Sequence, residues 1–476
     1  MKKLMLLTGL LAFLLFSCPE PEPDPIDEEG IEKAKFYAQD LTKNNSFYQI
    51  EAGKLADGTY CTVWVERGAG ISKNDANKVA AKFDSNIYPK MLDTFGVTFT
   101  DEEGDFTNIE FADFLADGDG KLCILLLDIK DGYNGTTNKA YTAGYFWSGD
   151  LLNVTNSNKR DMIFIDTNPG LKIDPENTYA TLAHEMQHMM SYVTGVALER
   201  GNFDTWVDEG LSSAAEWVYF NNHTSNGRVN SYKTNSSGLI NKGNNFFVWG
   251  NRTDEHQNAV LDDYSTVYLF FQWLRIQSNS KIYADIITSK DYDYKAVTGS
   301  FSKTNSGYSD WSKLLETWLA ANRINSSSGI LGYKGEIDIK APDAPAAASI
   351  SLFPGEGVYS KTNADPSASQ SGNIRYAYLS DTTSGNAYNS DTKALLTFNI
   401  STTFASNTDG SHSGTPETGT TTGVAASIII VPEGRSIQPD GPIRLDAGDM
   451  LRRNGNGNFS VSPRPSTERR IITNEN

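Results

Sequence analysis

Cysteine and histidine are scarce in this chain, with three and five copies in 476 residues. That excludes a disulfide-dense scaffold and makes any histidine pair worth locating. Basic residues are outnumbered, 41 against 59 acidic ones, for a formal net charge of −18. The chain therefore has no electrostatic footprint for a phosphate backbone, and nucleic acid is not an expected partner. A membrane-spanning run is missing from the start, because the apolar stretch Leu4 to Phe16 is too short to cross a bilayer. What is there is the balance of a folded protein, 39% hydrophobic and 21% charged residues, in a length that predicts two or three globular units.

Lys2 and Lys3 precede that short apolar stretch, and Ser17 follows it, the pattern of a secretory signal peptide over residues 1–17. Leu15-Phe16-Ser17-Cys18 further resembles a bacterial lipobox, in which Cys18 receives a lipid and becomes the new amino terminus. An ordinary signal peptide with a chance cysteine is the alternative. The acidic, Pro-rich segment from Pro19 to Pro25 favours the first reading, since it makes a stiff tether, placed at residues 18–30. The expected location is the bacterial cell envelope, outer membrane or cell surface, with a lipid anchor in the membrane. Lipidation leaves Cys61 and Cys123, which form either one bridge or two buried thiols.

Periodicity predicts a strand at Tyr60–Val65 and an amphipathic helix over 72–95, then buried strands at Leu122–Leu127 and Met162–Ile165 with an aromatic strand at Ala140–Trp147 between them. Helical patterns follow at 175–194, 204–220, 262–276, 280–288 and 309–323. A mixed sheet over 31–173 followed by helices over 174–330 implies an α+β architecture with the site between its two parts. From 337 to 453 the pattern changes to short β runs and reads as a separate β-sandwich-like domain, with a polar tail from 454 to 476. Asp117-Gly118-Asp119-Gly120-Lys121 offers closely spaced carboxylates for Ca²⁺, but no glutamate closes the loop at the EF-hand distance, so it reads first as a plain turn.

The chemistry gathers in Thr181-Leu182-Ala183-His184-Glu185-Met186-Gln187-His188. Asp174 can cap the free amides of that helix, Pro175 suits its first position, Glu176 favours its positive end, and Gly195 supplies the expected stop. Residues four apart lie one turn above each other, so His184 and His188 present both imidazoles to one point, suited to Zn²⁺. Glu185 is then directed at the water to be activated and can take its proton, the general-base role. A catalytic zinc needs a third protein ligand. The metzincin solution fails, because Thr194 stands where its third histidine would be and Ser191 where its glycine would be. Trp206-Val207-Asp208-Glu209-Gly210-Leu211-Ser212 offers the alternative: Glu209, 21 residues after His188, on a return helix. Glu216, two turns further on that helix, is placed to support a ligand imidazole from behind or to be an ordinary solvated position.

His184-Glu185-Met186-Gln187-His188-Met189-Met190 together with the Trp206–Ser212 segment resembles the hyicolysin family of secreted bacterial metallopeptidases, which are gluzincins related to thermolysin. The likeness extends from Ala143-Gly144-Tyr145-Phe146-Trp147, through Asn158–Asp166, to the helix at Tyr264, roughly the middle third of the chain. It implies a thermolysin-like catalytic domain in which an edge strand, Ala143, Gly144, Tyr145 and Phe146, binds an extended peptide by main-chain hydrogen bonds. The same residues could instead be plain sheet-edge packing. It also implies a donor for the oxyanion, for which Tyr264, at the start of the helix Tyr264–Trp273, is the first choice and His256 the second. Core packing is the bland reading of Tyr264.

The combined expectation is a zinc endopeptidase: His184, His188 and Glu209 hold one ion, and Glu185 moves the proton from water to the leaving amine. Two competitors are a surface adhesin on a peptidase scaffold, with its function in the β-rich region, and a purely structural zinc. The second needs a fourth protein ligand, and no cysteine or third histidine stands nearby in the sequence.

Overall fold

The computed structural model describes residues 24–43, 45–96, 120–235, 238–243, 247, 259–345, 349–360, 372–379 and 394–406, with strand segments at 412–413, 417–420, 443–445, 449–453 and 459–463. Cys18, the acidic loop residues Asp117 to Asp119 and His256 lie outside them. No helix among the described residues is long and apolar enough to cross a membrane.

A six-stranded mixed sheet comes first. It is built from β1 (Lys33–Asp40), β2 (Ser46–Asp57), β3 (Cys61–Glu66), β4 (Leu122–Leu127), β6 (Gly144–Tyr145) and β7 (Met162–Asp166), in the order β1-β2-β3-β4-β7-β6. Strands β3, β4 and β7 run parallel in its centre, and all three are buried nearly throughout, as expected of strands covered on both faces. Strand β6 is antiparallel to β7 and ends the sheet. The aromatic run expected as one strand is divided, with β5 (Ala140–Thr142) separate from β6. One face of the sheet carries Phe36, Trp64, Cys123, Leu125, Tyr145 and Phe164. The other, with Cys61, Val63, Ile124, Leu126, Ile163 and Ile165, meets the helices.

That division settles the cysteine question. Cys61 pairs in register with Leu122, so Cys123, the next residue on β4, points to the opposite face. Both are buried free thiols, and burial pushes Cys61 well above the ordinary thiol range.

Helices α1 (Lys73–Lys82) and α2 (Tyr88–Phe95) are joined by one π-helical turn, Phe83–Ile87, so the expected single helix is a bulged one. The amino-terminal strands β1 and β2 escaped the sequence reading. Ile26 is fully buried, and Asp27 and Glu51 both pair with Arg67, so residues 24–30, assigned to the tether by composition, are held against this hairpin.

The helical part contains α3 (Pro175–Ala197), α4 (Thr205–Phe220), α5 (Arg228–Thr234), α6 (Ala259–Gln277), α7 (Ile282–Ile287), α8 (Tyr294–Ser302) and α9 (Trp311–Ile324). Strands β8 (Ser349–Leu352), β9 (Gly357–Ser360), β10 (Ile374–Leu379) and β11 (Ala394–Asn399) follow, with a three-stranded sheet in the order β10-β11-β9. This sheet is not isolated from the helices. Tyr359 donates from its hydroxyl to the Leu319 carbonyl (2.7 Å), Arg323 pairs with Asp343 (2.7 Å), and Leu396 and Phe398 belong to the same core as α9. Within the stretch read as a polar tail, Phe459–Pro463 form a strand paired to Asp449–Arg453.

Helix α3 is the axis of the fold. Asp174 accepts from the Asn177 amide and Pro175 occupies the first turn, so the start follows the sequence signals. Its end does not. Gly195 lies inside the helix, which continues to Ala197, because this glycine serves close approach: a Cβ there would sit 2.3 Å from the Gly201 carbonyl oxygen. Gly144 on β6 plays the same part against the other side of α3. A Cβ would lie 2.8 Å from the Phe164 carbonyl oxygen and 2.9 Å from Cγ2 of Thr181, so the edge strand is pressed onto the turn that precedes His184. Gly144→Ala is expected to destabilise the protein by about 1–3 kcal/mol through overpacking, read as a lowered urea midpoint. An unchanged midpoint would remove the contact from the account.

Candidate metal centre

From Thr178 to Gly195 almost every residue of α3 is buried, polar ones included. A helix enclosed on all sides must find partners for its polar side chains inside the protein. His184, Glu185, Gln187 and His188 are 0–1% exposed, and helix α4, packed across α3, supplies what they face.

The segment Trp206–Ser212 can be read residue by residue. Trp206 is fully buried among Phe247, Phe270, Phe271 and Trp311 and anchors the first turn of α4. Gly210 leaves the space taken by the Phe271 ring, 2.1 Å from where a Cβ would be, and so lets α6 lie close against α4. Between these fixed points Glu209 turns inward, 1% exposed. Its Oε2 lies 3.3 Å from Nε2 of His184 and 3.5 Å from Nε2 of His188. One ligand atom from each of the three residues falls within 4.8 Å of the others.

These separations fit a metal better than a hydrogen-bonded pair. Ligands about 2.0–2.2 Å from a tetrahedral zinc stand about 3.3–3.6 Å from one another. Nε2 of His184 and Oε2 of Glu209 are buried, and among the described residues neither has a hydrogen-bond partner of good geometry beyond their mutual 3.3 Å approach. Among the described residues the cluster is two imidazoles and a carboxylate, which is also the donor chemistry of a catalytic rather than a structural site.

Behind the ligands stand carboxylates. Nδ1 of His184 donates to Oε1 of Glu216 (3.2 Å), which also accepts from Nη2 of Arg228 (2.9 Å). Nδ1 of His188 donates to Oδ2 of Asp208 (2.9 Å) and lies 3.0 Å from Oγ of Ser212. With each Nδ1 hydrogen engaged, Nε2 is the ring nitrogen left facing the site in both histidines. Burial alone would lower His184, but Glu209, Glu216 and Glu185 outweigh it and carry its pKa up to about 9 in the metal-free protein. For Glu209 burial acts upward, yet the His188 and His184 rings hold it well below the usual carboxylate range. A metal would take over the charge compensation that protons provide here.

Glu185 is fully buried beside His184. Tyr264 sits in the second turn of α6, which starts earlier than expected, at Ala259. Its ring centroid is 6.3 Å from that of His184, and the Arg228 guanidinium lies 4.7 Å from the same tyrosine ring centroid. Ala143, Gly144, Tyr145 and Phe146 lie along the sheet edge next to α3. Their side chains are turned into the protein: Tyr145 stacks on Phe164 at 4.2 Å and accepts from the Gln39 amide.

Sequence reasoning missed Asp208, Ser212 and Arg228. The first two stand in the same motif as Glu209, one residue before it and three after, and helical spacing could have found them. Arg228 gave no local signal. Arg228→Met is expected to remove the guanidinium paired with buried Glu216 and to cost about 3–5 kcal/mol, measured by chemical denaturation. A change under about 1 kcal/mol, the range of exposed pairs, would show that the pair carries little.

No protein-family model matches the chain. It is similar to the neutral metalloprotease ShpI of Staphylococcus hyicus, with 30% identity over 313 residues that cover 64% of each chain. The match thus spans a little under two thirds of that protein.

Proposed function

We propose that the protein is a zinc-dependent endopeptidase with a thermolysin-like catalytic unit, acting on peptide bonds of extracellular or envelope proteins. The observation that carries this reading is the convergence of His184, His188 and Glu209, with the Glu209 carboxylate at zinc-like separations from both imidazoles, in a chain similar to a metalloprotease. When bound, the ion supplies Lewis-acid polarisation and acidifies a water molecule.

The chain's own groups do the rest. Glu185, next to the first ligand, accepts the proton of the attacking water and delivers it to the leaving amine. Tyr264, beside His184, donates its phenolic hydrogen to the oxyanion that develops on the scissile carbonyl. The edge of β6 offers main-chain groups to an extended peptide, and since its side chains are committed to packing, preference is set elsewhere in the cleft. Export and a lipid tether at Cys18 complete the proposal, with the β-rich region after 337 as a sandwich-like accessory unit.

Metal analysis beside a casein digest tests it. One zinc per chain and cleavage abolished by a chelator and restored by zinc are expected. A protein with neither would be a binding module on a peptidase scaffold.

A further inference from the structure

The hydrogen bonds around Ser212 have a direction that follows from the chemistry of its neighbours. Its hydroxyl carries one proton and approaches two acceptors, Oε1 of Gln187 at 2.5 Å and the backbone oxygen of Asp208 at 3.0 Å. Nε2 of Gln187 donates to Oγ of Ser191 (2.8 Å), with Oε1 toward Ser212. Whichever acceptor takes the Ser212 proton, the third neighbour, Nδ1 of His188 at 3.0 Å, meets only lone pairs on that oxygen. Nδ1 does not take that proton itself, because the Asp208 carboxylate 2.9 Å away only accepts; Nδ1 therefore carries the hydrogen, and Nε2 is the atom left for a metal.

We infer that Ser212, held by Gln187, is a positioning residue that locks His188 in the tautomer able to ligate zinc. The inference rests on the proposed zinc site and deepens it. Asp208 accepts from the same Nδ1, but its side chain is 24% exposed, within reach of solvent. Ser212 and Gln187 are wholly buried, which makes theirs the water-free part of the lock. The two middle residues of a His-Glu-x-x-His motif are free as far as ligation is concerned. In this chain one of them, Gln187, reaches across to α4 and has a task of its own.

The test is zinc affinity by competition with a chromogenic chelator, on the full chain, for wild type, Ser212→Ala and Ser213→Ala. Ser213 is the neighbouring buried serine, and its hydroxyl oxygen makes no hydrogen bond among the described residues, so its variant controls for loss of a hydroxyl in α4. Ser212→Ala is expected to weaken zinc binding by about 10–100-fold, the usual effect of removing a group behind a ligand, while Ser213→Ala leaves it unchanged and circular dichroism shows both folded. Equal affinity in Ser212→Ala and wild type would overturn the inference, as would equal losses in the two variants. A wild type that binds no zinc would overturn the metal site itself, a distinguishable result.

Discussion

Glu185→Gln is expected to bind zinc as the wild type does and to cleave casein about 10²–10⁴-fold more slowly, the range that a positioned general base contributes. The substitution keeps the shape and burial of a side chain that is completely enclosed, and it leaves His184, His188 and Glu209 untouched. It removes the capacity to accept a proton, together with a negative charge that acts on His184. The loss should therefore appear in kcat, with metal content unchanged and KM little altered. Wild-type rates in the variant would take Glu185 out of the mechanism, and a variant without metal would mean that its carboxylate has a role in holding the site together.

A second large effect is expected at Glu209. Glu209→Ala leaves two buried imidazoles facing each other with no carboxylate between them, and reduces the protein ligands from three to two. Zinc content should fall below stoichiometry, and hydrolysis should fall to background. The thermal stabilisation that zinc confers should disappear with it, which for a ligand at a thousandfold excess over its Kd is worth about 4 kcal/mol. Melting curves with and without zinc measure this directly. A Glu209→Ala protein that retained one zinc and the full shift in Tm would place the third ligand elsewhere.

The parts of the site that could be read from the chain alone are those fixed by local geometry. His184 and His188 are four apart on a helix whose cap, Asp174, and first residue, Pro175, are adjacent in sequence, so their convergence needs no knowledge of the fold. Glu209 required a motif and a distance, and its inward orientation depends on Trp206 and Gly210 fitting against α6. The support from Arg228 was invisible, because it reaches Glu216 from another helix and no local pattern marks it. Gly195 shows how a sound local rule fails: glycine ends many helices, but here the absence of a side chain is needed for the chain passing at Gly201. Strands β1 and β2 were missed because polar or small residues, Ala38, Gln39, Asp40 and Ala52, hold buried positions in them, so the apolar alternation is diluted. Cys61 and Cys123 lie on neighbouring strands, and only the one-residue offset in register turns them apart.

The central claim is that His184, His188 and Glu209 share one zinc. Diffraction from zinc-loaded crystals, recorded on both sides of the zinc absorption edge, tests it most directly. The account predicts a single anomalous peak about 2.0–2.2 Å from Nε2 of His184, Nε2 of His188 and a carboxylate oxygen of Glu209, with no fourth protein ligand. A peak elsewhere, or one at this place with the Glu209 carboxylate turned away, would contradict it.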